Sequence, residues 1–154
     1  MRMVRFGVAG LKDPKDLEGS IAKVVEGGYA ACEVQFVKEF TLKEPEAERL
    51  GTIAAREGVR LSVHAPYFAA LTTAEPERLT LHLGALHHSC HLAALMGAKV
   101  VVCHPGTSTG DAAGSASTAV TAVATFPDTS ASRCSTLFIT VPPVAARPAP
   151  LLRP

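Results

Sequence analysis

Two stretches of the chain, Leu61-Ser-Val-His64-Ala-Pro-Tyr67 and Val100-Val-Val-Cys-His104-Pro-Gly106, are short apolar runs that stop at a histidine with a proline just beyond. Runs of that length, entered from Gly58 and from Gly97-Ala-Lys, read as strands buried on both faces of a parallel sheet. The closing histidine then falls at the carboxyl end of its strand, where α/β barrels and open α/β sheets place their chemistry. One histidine in that position is commonly a hydrogen-bonded structural residue. Two in matching contexts, on nearby parallel strands, are placed to converge on one metal ion.

From Val4 to Cys103 the pattern alternates strand and helix. Val4–Ala9 reads as the first strand, and Asp13-Pro14 as a capped helix start with proline at its first position, stopped by Gly27-Gly28. Ala31–Val37 is the second strand. Thr41-Leu-Lys-Glu44 has the spacing of a capping box opening a helix that runs to Gly58. Val59–His64 is the third strand, a long helix runs from about Glu75 to Gly97, and Lys99–Cys103 is the fourth strand. Such alternation predicts right-handed parallel crossovers and an α/β fold.

The composition changes after Gly110. The last lysine is Lys99 and the last glutamate Glu77, and residues 111–154 are mainly Ala, Ser, Thr and Pro with scattered Arg. Helical periodicity is poor there, and prolines break any strand pattern after Ile139. The segment reads as a disordered low-complexity tail, or as a GC-rich gene translated out of frame; on either reading no chemistry is expected from it.

At 154 residues the chain suffices for one domain with a real core, and its formal charge of +1 with 47% hydrophobic residues suits a soluble globular protein. The charge gives no bulk attraction for nucleic acid, so any DNA binding must be local. No apolar run approaches the roughly 18 residues of a membrane span. The opening Met-Arg-Met-Val-Arg-Phe-Gly lacks the apolar core of a signal peptide, so a cytoplasmic location is expected. Cys32, Cys90, Cys103 and Cys134 form no CxxC pair and read as small packing residues; Cys103 should face away from His104.

Other residues have plainer readings. His82, His87, His88 and His91 crowd one helix, but Leu79, Leu83, Leu86, Cys90 and Ala93 form its apolar stripe, which leaves the histidines on its flanks and far side. His87 and His91 have chelating i, i+4 spacing, with ordinary surface histidines the stronger reading. Glu33 is either a site carboxylate or a buried structural polar group. Lys38, just after the second strand, is either a contact for a DNA backbone or a solvated loop lysine. Gly7 and Gly10 match no phosphate-binding fingerprint.

Four motifs together, Arg-Phe-Gly-Val-Ala-Gly10, Glu33-Val-Gln-Phe36, Ser62-Val-His-Ala-Pro-Tyr67 and Met96-Gly-Ala-Lys-Val-Val-Val-Cys-His-Pro-Gly106, resemble the endonuclease IV family of apurinic/apyrimidinic endonucleases, within the xylose isomerase-like barrels. The resemblance covers about Arg5 to Gly106 and implies the amino-terminal half of a TIM-type (β/α) barrel: four strands and three helices over residues 1–110, followed by the irregular tail. It implies three zinc ions at the carboxyl-end mouth, with His64 and His104 helping to bind one of them. Tyr67 would lie in the surface that meets double-stranded DNA at an abasic site. The reaction implied is hydrolysis of the phosphodiester 5′ to the abasic sugar, for which clustered zincs lower the pKa of water and clamp the attacking and leaving oxygens.

The chain also departs from that pattern. Phe68-Ala-Ala-Leu71 stands where the family has an Ile-Asn-Leu-like run, and nothing after Gly110 matches the carboxylates and histidines that complete the site. At most one partial zinc site is therefore expected, with the catalytic residues missing from this chain and its competence as an enzyme left open. The rival readings are a metal-dependent sugar isomerase or epimerase on the same barrel, and a non-catalytic fragment that self-associates through exposed sheet edges.

Overall fold

The computed structural model describes residues 4–11 and 13–106, together with the backbone of Thr136–Ile139. Strands β1 (Gly7–Ala9), β2 (Ala31–Gln35), β3 (Arg60–His64), β4 (Val100–Cys103) and β5 (Thr136–Ile139) form one parallel sheet, in chain order. Helices α1 (Leu17–Glu26), α2 (Glu44–Arg56) and α3 (Pro76–Leu95) connect the first four strands. This is the α/β half-barrel pattern that the sequence predicts.

Strand alternation sorts the side chains. Cys32, Val34, Phe36, Val63, Ala65, Val101 and Cys103 are buried on the face that the helices cover. Ile21 of α1, Leu50 and Ile53 of α2, and Leu86 and Ala93 of α3 meet them there. Each large apolar side chain removed from water in this way contributes about 1.5–3 kcal/mol. On the opposite, concave face the register brings Ala9, Glu33 and Ser62 level, and Gln35 level with His64 and Val102. Polar groups thus collect on the side that no described helix covers.

The helix starts differ from the sequence expectation. Asp13-Pro14 forms a turn, and Asp16 caps α1 by accepting the Gly19 amide at 2.9 Å. At α2 the first helical residue is Glu44, and the Glu46 carboxylate accepts the Lys43 amide at 3.1 Å. A Thr41 cap would have put Pro45 at the fourth helical position, where the missing N–H is needed; starting at Glu44 keeps it in the first turn. β5 falls inside the stretch expected to be an irregular tail, at the apolar Thr-Leu-Phe-Ile, in register with Val100 to Cys103. The remainder of residues 111–154 lies outside the described residues, as does Cys134.

Candidate functional site

Parallel strands with all the described helices on one face leave the carboxyl ends of β2, β3 and β4 at a common rim. His64 ends β3 and is buried at 7% exposure, and its Nδ1–H donates to the Ala65 carbonyl at 2.8 Å. A carbonyl only accepts, so that bond fixes the tautomer and leaves the lone pair on Nε2, the atom a metal would take. His104 follows β4 directly. The two imidazole centroids are 4.9 Å apart, and the Tyr67 ring lies 5.0 Å from each, nearly parallel to His104 at 17°. Three rings, one from the end of β3 and two from the loops after β3 and β4, make one aromatic cluster, with Tyr67 its exposed member at 51%.

The loops themselves interlock. The Ala65 amide donates to the Val102 carbonyl (2.8 Å), and the Leu71 and Thr72 amides both donate to the Pro105 carbonyl (2.6 and 3.0 Å). Gly106, at φ +116°, lets the backbone pass against Thr72, whose hydroxyl a Cβ there would strike. The prolines and this glycine give the rings their shared position.

The other sequence candidates divide. Lys38 is exposed on the loop after β2, at the same end of the sheet but outside the ring cluster. Glu33 lies on the concave face and accepts a hydrogen bond from Gln35 Nε2 at 3.0 Å. His91 Nε2 lies 3.1 Å from the Glu44 carboxylate, and His88 presents an edge contact to Phe40, so these are surface contacts between α3 and the start of α2. Burial, reinforced by His91, holds the His88 pKa below its usual value. Cys103 faces the core as its alternation from His104 predicts, and burial pushes its thiol up to about 11. The residue that sequence reasoning passed over is His82, whose Nδ1 lies 2.6 Å from the Ala70 carbonyl in the Tyr67 loop. Its helical position beside the apolar stripe gave no signal of that long-range contact.

Zinc suits these donors, though the set is incomplete. Bonds of about 2.0–2.1 Å at tetrahedral angles put two ligating nitrogens about 3.3 Å apart. Imidazoles with centroids 4.9 Å apart can meet that spacing. Among the described residues, however, no group of three or more His, Cys, Asp or Glu side chains is placed to hold a metal. A cavity of about 740 Å³ opens at the other end of the sheet, near Arg60, Lys99, Thr52 and Met96, and includes neither histidine.

A family model of xylose isomerase-like TIM barrels matches residues 21–126. The chain belongs to this family. No curated protein matches it. Among solved structures, L-ribulose 3-epimerase superposes with a TM-score of 0.72 at 16% identity, covering 89% of this chain and 49% of that one. D-allulose 3-epimerase from Methylomonas sp. gives 0.66 at 13% identity, over 88% of this chain and 51% of that one. Endonuclease IV from Thermus thermophilus gives 0.53 at 21% identity, over 77% and 46%. This xylose isomerase-like chain thus spans about half the length of the structures it matches, whose names divide between sugar epimerases and a nuclease. No helix among the described residues is long and apolar enough to cross a membrane.

Proposed function

We propose that the chain carries the amino-terminal part of a zinc-dependent DNA-repair endonuclease site, one that hydrolyses the phosphodiester 5′ to an abasic sugar. The observation that carries this reading is the half-exposed Tyr67, stacked on His104 and 5.0 Å from His64. An aromatic face held beside two metal-ligand candidates suits a duplex with a missing base, where a ring can fill the gap and stack on the neighbouring bases. His64 and His104 would hold a zinc through ring nitrogens. Bound there, zinc supplies Lewis acidity and charge neutralisation for a phosphodiester. The Ala65 carbonyl keeps the His64 tautomer ready for that role, and Lys38 offers a cation for the flanking backbone. The further ligands and the catalytic groups would come from the second half of such a barrel, so binding is the part of the activity that the residues of this half are proposed to carry.

The rival reading is a metal-dependent sugar epimerase, and the polar concave face favours it: Glu33, Gln35 and Ser62 suit the hydroxyls of a small sugar. Binding separates the two. At fixed salt and with zinc present, labelled abasic duplex should bind about tenfold more tightly than intact duplex, and Tyr67→Ala should erase the preference. Equal affinity for both duplexes, with ketoses shifting the His64 and Glu33 NMR signals, would transfer the assignment to the epimerase.

A further inference from the structure

We infer that His82 is a positioning residue that clamps the Tyr67 loop to α3 and so sets how the aromatic ring meets its ligand. The identity of that ligand rests on the abasic-DNA reading above; the loop geometry does not.

Residues 65–75, between β3 and α3, have no regular structure, yet they carry the one exposed ring of the cluster. Backbone bonds hold the two ends of the Tyr67 turn. The Ala65 amide is tied to Val102, and the Leu71 and Thr72 amides are tied to Pro105. Between those ties the chain folds on itself, the Ala69 amide donating to Pro66 at 3.1 Å and the Ala70 amide to Phe68 at 2.7 Å. His82, in the second turn of α3, bonds the Ala70 carbonyl from outside the loop. Since the acceptor is a carbonyl, the proton is on Nδ1. The Phe68 ring, on the residue after Tyr67, lies 6.5 Å from the same imidazole in a tilted arrangement. His88 and His91 of the same helix turn instead toward Phe40 and Glu44, away from this loop.

A short side-chain bond from a helix to the middle of a turn whose ends are already tied suppresses opening of the turn, and an aromatic that must enter a duplex gap binds better when already oriented. His82 touches neither metal-donor candidate directly, since His64 is oriented by Ala65, and it reaches His104 only through the loop. Zinc affinity and abasic preference should therefore separate in a His82 variant.

The test uses the whole chain. Ring-nitrogen NMR of the unmodified protein should show His82 protonated at Nδ1 and not at Nε2. His82→Phe should speed amide exchange at Leu71 and Thr72 and lower the preference for abasic over intact duplex, each by about tenfold, the scale of one hydrogen bond. Its zinc affinity should fall by less than its abasic preference does, and His82→Gln, which keeps a donor, should recover much of the preference. An Nε2–H tautomer in the parent protein overturns the inference even if His82→Phe does not fold. Unchanged exchange in a folded His82→Phe overturns it, and so does faster exchange with undiminished abasic preference. Faster exchange in a chain whose parent lacks any abasic preference supports the clamp and removes the DNA reading.

Discussion

The two faces of this sheet are built from neighbouring residues with opposite fates. Val63 and Cys103 are buried beneath the helices, while His64 and His104, one residue on, belong to the ring cluster at the rim. On the covered face, burial of apolar side chains dominates, and it makes the Cys103 thiol a poor acid. On the concave face, polar groups are held by one another and by loop carbonyls: Glu33 by Gln35, His64 by Ala65. The difference teaches that stability and chemistry are separated here by a period of two along the strand. They should respond to different mutations.

The largest effect tests the covered face. Leu50→Ala, at a fully buried α2 position, should cost about 2–5 kcal/mol in urea unfolding while leaving zinc affinity per folded molecule unchanged. On the concave side, His104→Ala should weaken zinc binding by about a hundredfold or more, read with cobalt absorbance, at little cost in stability. If each variant produced both effects, the two faces would not be independent. Gly106→Ala strikes the junction between them, because its φ of +116° and the nearby Thr72 hydroxyl both oppose a side chain. It should cost about 1–3 kcal/mol and also loosen zinc binding.

The smallest effect concerns pH. Burial lowers the folded-state pKa of His88 below the ordinary 6.5, with His91 and His87 pushing the same way and Glu44 opposing them. The unfolded chain then binds the proton better, so stability is present above that ordinary value and declines as pH falls below it. Melting temperatures taken from about pH 8 down to about pH 5 should show the decline, and His88→Gln should flatten it without altering the proposed zinc site.

Much of this was legible in the sequence because local signals agreed. Apolar runs bounded by glycines located β2, β3 and β4 to within a residue or two, and the histidine-proline endings located the rim. Helix caps were less legible. Asp13 and Asp16 are both suitable caps, and only the hydrogen bond to Gly19 distinguishes them. The histidines show the limit most plainly. His87, His88 and His91 are close in sequence, yet His88 and His91 turn to different partners. His64 and His104 are 40 positions apart, yet their rings are neighbours. Helical periodicity can say that His82 flanks a stripe, but it cannot say that a loop twelve residues earlier comes back to meet it.

Strand order has a consequence for how the molecule is made. Because each described strand lies beside its predecessor, none of the described strands must wait for a partner later in the chain before it can dock. The growing chain can lay down β1 and β2, close α1 over them, and extend the sheet one β-α unit at a time as synthesis proceeds. From β1 to β4 each intermediate on that route ends in a bare strand edge that the next unit covers, so the hazard of sticking to a neighbour moves along the chain with the ribosome.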